Sequence, residues 1–256
     1  MSALCAADVL AALDGLVPLR LAESWDNVGL LLGDPASEVR GVLLTIDLTP
    51  AVVAEAVETE CNVVIAYHPP LFRAQKTITA KDLAYLALHH RLTVLTPHTA
   101  LDAARGGTCD VMAERLELLA TAPLIEVEPE LGAGRVGELR VALDTAAFVA
   151  HVKRAFEVSH VLVCGGERTI RRVAVCAGAG GGLLDAVARG AASAYVVGEL
   201  SHHDALRAER EGLLAVLLRH SVSERPALHS LAARLAASVP AQVRVSERDR
   251  DPLRFA

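Results

Sequence analysis

Apolar residues alternate between two rhythms along this chain. Short unbroken runs at residues 42–46, Val63–Ala66 and residues 93–95 read as buried strands. Stretches with helical spacing lie around them: Ala6–Leu16, residues 50–60 and residues 79–90, with Thr49 or Asp47 placed to cap the helix at 50. Strands separated by helices of this length imply βαβ units and a largely parallel sheet. The alternation lapses into Pro, Gly and Glu around residues 122–137, then resumes. Strands are expected at 139–143, 173–176, 194–197 and 213–218, and helices at 145–156, 183–189, 204–211 and 226–237. Pro226 opens the last helix, where its missing N–H costs nothing. The expected fold is α/β: two lobes, 1–122 and 123–256, with helices flanking central, largely parallel sheets in three layers. The final helix is free to pack back on the first lobe.

Composition narrows the function classes. The chain has 256 residues, a formal net charge of −6 and 52% hydrophobic residues, enough to bury a core without disulfides. No block of Lys or Arg offers a face for a nucleic-acid backbone, so direct nucleic-acid binding is not expected. The five cysteines are widely spaced with no Cys-x-x-Cys pair, which suits thiols in a reducing compartment. No apolar run reaches the ~20 residues of a membrane span, and the N-terminal segment lacks a basic n-region. The cytoplasm is the expected location.

Three segments share one layout. Residues 63–66 run into Tyr67-His68-Pro69-Pro70, residues 93–96 into Pro97-His98 with Asp102 four residues later, and residues 213–218 into Arg219-His220 with Glu224 four residues later. Each strand delivers a His near its carboxyl end, where ligands bind in open α/β sheets. His with Asp or Glu is a borderline-hard donor set, suited to Zn, Fe, Mn or Co. Two carboxylates among three His suffice to bridge two ions ~3.5–4 Å apart. One His after one strand is ordinarily a surface residue; the threefold repetition gives the pattern its weight.

Other motifs keep two readings. Gly178–Gly182 between a strand and a helix, with Glu199 about twenty residues on, sketches a dinucleotide fingerprint but has Leu183 at the third glycine. An anion-binding turn and plain close packing are the alternatives. Trp25-Asp26-Asn27-Val28-Gly29 is either an Asx-type turn or a rim that places Asp26 or Asn27 at the site. In Ser201-His202-His203-Asp204, Ser201 or Asp204 suits a helix cap, while one His is a candidate general base or a donor behind the ligands.

Taken together, AESWDNVGLLLG (22–33), YHPPLF (67–72), PHTALDAARGG (97–107), GRVGEL (134–139), the stretch 173–182, GELSHHDAL (198–206) and HSVSERP (220–226) resemble the NIF-three-like (NGG-one-interacting factor three) proteins, also labelled GTP cyclohydrolase 1 type 2. Tyr-His-Pro-Pro and Gly-Glu-x-Ser-His-His look like the eukaryotic branch. The resemblance implies a site for two divalent metal ions held by His68, His98, Asp102, His220 and Glu224, with Asp102 and Glu224 bridging. Many bacterial members have His-His where this chain has Tyr67-His68, and a neutral phenol is the poorer ligand. The resemblance also implies a homo-oligomer, often a hexamer, and this chain has no room for the extra domain some members insert mid-chain.

Three functions are compatible with these motifs. One is a metal-dependent hydrolase of a nucleotide-like or phosphoester substrate, with His203 as proton shuttle and Tyr67, Asp26, Asn27 and His202 behind the ligands or at the substrate. Another is a non-catalytic regulator or scaffold that binds a protein partner such as a transcriptional adaptor. The third is a metal chaperone.

Overall fold

A computed structural model describes residues 3–255. The chain divides into two compact units, residues 1–104 with 228–256, and residues 105–227.

The first unit opens with α1 (Ala6–Leu16), which buries Val9 and Leu13; the Cys5 amide donates to Asp8 Oδ2 at 2.8 Å across its first turn. Then come β1 (Gly29–Leu32), β2 (Gly41–Thr45), α2 (Pro50–Glu58), β3 (Val63–Ala66), α3 (Leu83–His89), β4 (Thr93–Thr96) and α4 (His98–Ala103). Thr49 caps α2, accepting from the Val52 amide at 3.2 Å, with Pro50 in the first turn. Every residue of β2, β3 and β4 is buried, as strands covered on both faces require.

In the second unit α5 (Thr108–Arg115) is followed by β5 (Leu119–Ala122), β6 (Ile125–Glu128), β7 (Leu131–Ala133), β8 (Arg135–Asp144) and α6 (Thr145–Ala155). After these come β9 (Leu162–Cys164), β10 (Thr169–Ala179), α7 (Leu184–Arg189), β11 (Ala194–Glu199), α8 (His202–Arg210), β12 (Leu214–Leu217) and α9 (His220–Glu224). The strands β10, β11 and β12 form a parallel centre. Antiparallel β8 and β5 extend one side and β9 the other. Met112, Ala113 and Leu116 pack with Phe148, Val152 and the inward residues of β10 and β12, which is why α5 belongs to this unit. The Pro- and Gly-rich stretch is the separate β6–β7 ribbon. Beside it the buried Arg135 guanidinium donates to Asp110 and to the Gly132 and Gly134 carbonyls, the latter two at 2.7 and 2.8 Å.

The chain then returns to the first unit within α10 (Pro226–Ala236), from Leu228 on, and continues to β13 (Gln242–Val245). The sheet there runs β1-β4-β3-β2-β13, parallel except for β1. Buried Glu55 of α2 accepts from Ser246 Oγ and, at 2.8 Å, from the Glu247 amide. Asp249 accepts from the Ile46 amide at 2.8 Å. These bonds fasten the returning segment to β2 and α2. No helix among the described residues is long and apolar enough to cross a membrane.

Candidate metal centre

The three strand-end histidines share one local construction. The parallel register that pairs Thr45 with Ala66 continues past the strand ends to set Asp47 opposite His68, and His68 Nδ1 lies 2.9 Å from Asp47 Oδ1. The antiparallel register pairing Gly29 with Thr96 carries the loop before β1 over the end of β4, and His98 Nδ1 lies 2.7 Å from Asp26 Oδ1. In the second unit β11 and β12 pair Val197 with Leu217, and just past them His220 Nδ1 lies 3.1 Å from Glu199 Oε1. A carboxylate on Nδ1 fixes the imidazole ring and makes Nε2 the more basic donor, the arrangement that stands behind histidine metal ligands. The sequence offers Asp47 only as a helix cap and Glu199 only as the acidic residue of a dinucleotide fingerprint; their places behind His68 and His220 follow from strand register.

In the first unit, Tyr67, His68 and His98 meet edge to face, with ring centroids 5.1–5.8 Å apart. Tyr67 is buried and its hydroxyl donates to Asp102 Oδ1, so it positions Asp102. Asp26 Oδ2 accepts from the Thr99 amide and hydroxyl, at 3.1 and 2.5 Å. Burial opposes ionisation of Asp26, but the bonds from His98 and Thr99 outweigh it and hold the carboxyl below its ordinary pKa. Asn27 Nδ2 donates to the Leu71 carbonyl at 2.6 Å, joining two loops.

In the second unit, His220 Nε2 lies 3.0 Å from Oε1 of Glu224, one helical turn on and itself buried. Two donors at ~2.1 Å from one ion, near a right angle, stand about 3 Å apart, so this pair fits a shared cation. The Glu224 hydrogen bond, partly opposed by burial and aided by Glu199, raises the His220 pKa to about 9. The preceding residue, Arg219, has φ 85° and ψ 151°, a region that only glycine adopts without strain of order 1–3 kcal/mol. Gly178 has φ +58°, and a Cβ there would stand 2.7 Å from Glu224 Oε1 and 3.1 Å from His220 Nε2. Its neighbours serve close approach too: a Cβ on Gly180 would strike the Tyr195 hydroxyl, and one on Gly181 the Asp204 carboxylate. The helix after this turn, α7, is only six residues long, unlike the long helix of a dinucleotide site. Gly181, Gly182, Glu199, Ser201 and Asp204 line an open cleft of ≈ 630 Å³. Ser201 caps α8, accepting from the Asp204 amide at 3.2 Å, while His202 and His203 are exposed on its first turn in edge contact with each other.

Fold and side chains thus define a two-unit α/β protein whose strand-end histidines are each backed by a carboxylate. The chain belongs to the Duf34/NIF3 (NGG1p interacting factor 3) family, whose model matches residues 5–252. It is 36% identical to NIF3-like protein 1 of Drosophila melanogaster, over 96% of this chain and 88% of that one. It is 33% identical to NGG1-interacting factor 3 of Saccharomyces cerevisiae, over 91% of each. A GTP cyclohydrolase 1 type 2 homolog of Streptomyces coelicolor is 32% identical over 86% of this chain and 81% of its own length. In fold, the chain is similar to the Bacillus cereus protein related to NIF3, with a TM-score of 0.94, 21% identity and full coverage of both chains.

Proposed function

We propose that this chain is a metal-dependent hydrolase acting on a nucleotide-like or phosphoester substrate. His68, His98 and Asp102 of the first unit and His220 and Glu224 of the second are its ligands for two divalent ions. The observation that carries this reading is the repeated pairing of a strand-end histidine Nδ1 with a carboxylate, at 2.9, 2.7 and 3.1 Å. The donor set of imidazole and carboxylate suits Zn, Fe, Mn or Co. Such ions lower the pKa of a bound water and polarise the group it attacks. Tyr67, whose hydroxyl donates to Asp102 Oδ1, would hold that carboxylate for an ion, and His203 is the candidate proton shuttle. The name of the Streptomyces relative, a GTP cyclohydrolase 1 type 2 homolog, supports a nucleotide-like substrate. The enzyme works as a cytoplasmic homo-oligomer in this reading, a hexamer by resemblance.

The first test is elemental analysis of the chain purified without added metal, beside His98→Ala. About two equivalents in the wild type, falling sharply in the variant, support the assignment. No bound metal in either sinks it. A second reading, a scaffold for a protein partner, is favoured by the yeast relative's name, NGG1-interacting factor 3. Glu224→Gln separates the two: a hydrolase loses turnover while folded, whereas a scaffold keeps its partner.

A further inference from the structure

The chain holds one tryptophan and four phenylalanines. Trp25 is 59% exposed and Phe72 is 50% exposed, although aromatic rings ordinarily gain most from burial. They meet each other edge to face with centroids 5.9 Å apart and an interplanar angle of 65°. Both also pack on His98, at 6.1 and 6.4 Å. The two loops are held together by the Asn27–Leu71 bond, one residue before Phe72 and two after Trp25. Asp26, next to Trp25, grips His98 itself. The aromatic pair is therefore fixed in place and continuous with a histidine at the candidate centre.

We propose that Trp25, braced edge-on by Phe72, forms an aromatic platform on which the planar heteroaromatic ring of a substrate stacks beside His98. The proposal deepens the hydrolase reading and rests on it in bringing the ring to the same site. A second copy of the chain is the weaker occupant. Two such side chains bury roughly 300–500 Å² together, short of the ~800 Å² per partner of a stable interface. A single ring stacked on one aromatic face needs no more than the pair offers.

Because Trp25 is the chain's single tryptophan, its emission reports the platform directly. The metal-containing protein as purified is titrated with a purine nucleoside monophosphate and, as a ringless control, with ribose 5-phosphate. The nucleotide is expected to change the emission saturably and the control to leave it unchanged. Phe72→Leu, which keeps the reporter, should bind the nucleotide roughly 5- to 150-fold more weakly. Trp25→Leu, followed by equilibrium dialysis, should do the same. Neither residue is a ligand, so metal content should stay at the wild-type value in both variants. Loss of metal binding in the wild type would strike the hydrolase reading, whereas failure of ring stacking with metal retained strikes this proposal alone. No saturable response to the nucleotide, or equal affinity in Phe72→Leu, overturns it. So does a concentration-dependent dimer, seen by sedimentation, that either variant abolishes.

Discussion

His98 Nδ1 donates to Asp26 Oδ1 at 2.7 Å while Asp26 Oδ2 accepts from the Thr99 amide at 3.1 Å. One buried carboxylate therefore fixes both the ring of His98 and the start of the helix that carries it. Asp26→Asn keeps the shape and removes the charge. Partners of this kind are worth ~10- to 100-fold in metal affinity. The variant is expected to lose that much in a competition titration against a chelator while keeping its far-ultraviolet circular dichroism. Unchanged affinity would mean that the Asp26 charge does not support a metal ligand at His98.

His220 gives the pH dependence. Its pKa is raised to about 9 by the Glu224 and Glu199 carboxylates, above the ~6.5 of an unfolded chain. A group raised on folding stabilises fully below the unfolded pKa, and that stability is lost as pH rises through the folded value. The metal-free protein should therefore lose thermal stability between about pH 6.5 and 9, and His220→Gln should flatten that slope. Metal uptake runs the other way, because a cation must displace the His220 proton. Affinity should climb with pH over the same window in the wild type. Parallel pH slopes for wild type and His220→Gln would contradict this account.

The sequence pattern locates the strands and the histidines but not what stands behind them. Val63–Ala66 is legible because its short apolar run is mostly β-branched (Val63, Val64, Ile65), and Ala6–Leu16 because its apolar spacing repeats every turn. Asp47 and Glu199 escape because their partners lie far away in sequence, reached only through the pairings Thr45 with Ala66 and Val197 with Leu217. Nothing in a strand's own residues states its register against a neighbour. β5 and β6 are hidden for another reason: seven of their eight residues are exposed, so no buried run marks them. α5 carried a usable signal in Cys109, Met112, Ala113 and Leu116, all buried at helical spacing, which a search for long apolar runs passes over.

Gly178 tests whether close backbone approach matters at the candidate centre. An alanine there adds a Cβ 2.7 Å from Glu224 Oε1, at a φ of +58°. The left-handed conformation alone costs roughly 1–2 kcal/mol for a residue with a Cβ. Gly178→Ala is expected to unfold at lower denaturant and to bind metal more weakly, as His220 and Glu224 are pushed aside. Gly182→Ala is the control: its Cβ would meet nothing within 4 Å. Equal metal affinity in the two variants would argue that the Gly178 contact is incidental.

Arg135 carries the strongest stability prediction outside the candidate centre. Its side chain is 2% exposed, and its acceptors include Asp110 and the carbonyls of Gly132 and Gly134. Removing one partner of a buried ion pair leaves the other charge uncompensated, typically at ~3–5 kcal/mol. Arg135→Met retains most of the volume and should still lose much of that, read as a lower denaturation midpoint with an unchanged slope. Asp110→Asn added to Arg135→Met removes the stranded charge and should recover part of the loss, giving a coupling energy in the double-mutant cycle. Strict additivity of the two changes would show that the carbonyl bonds at the β6–β7 ribbon, and not the ion pair, account for the stability Arg135 provides.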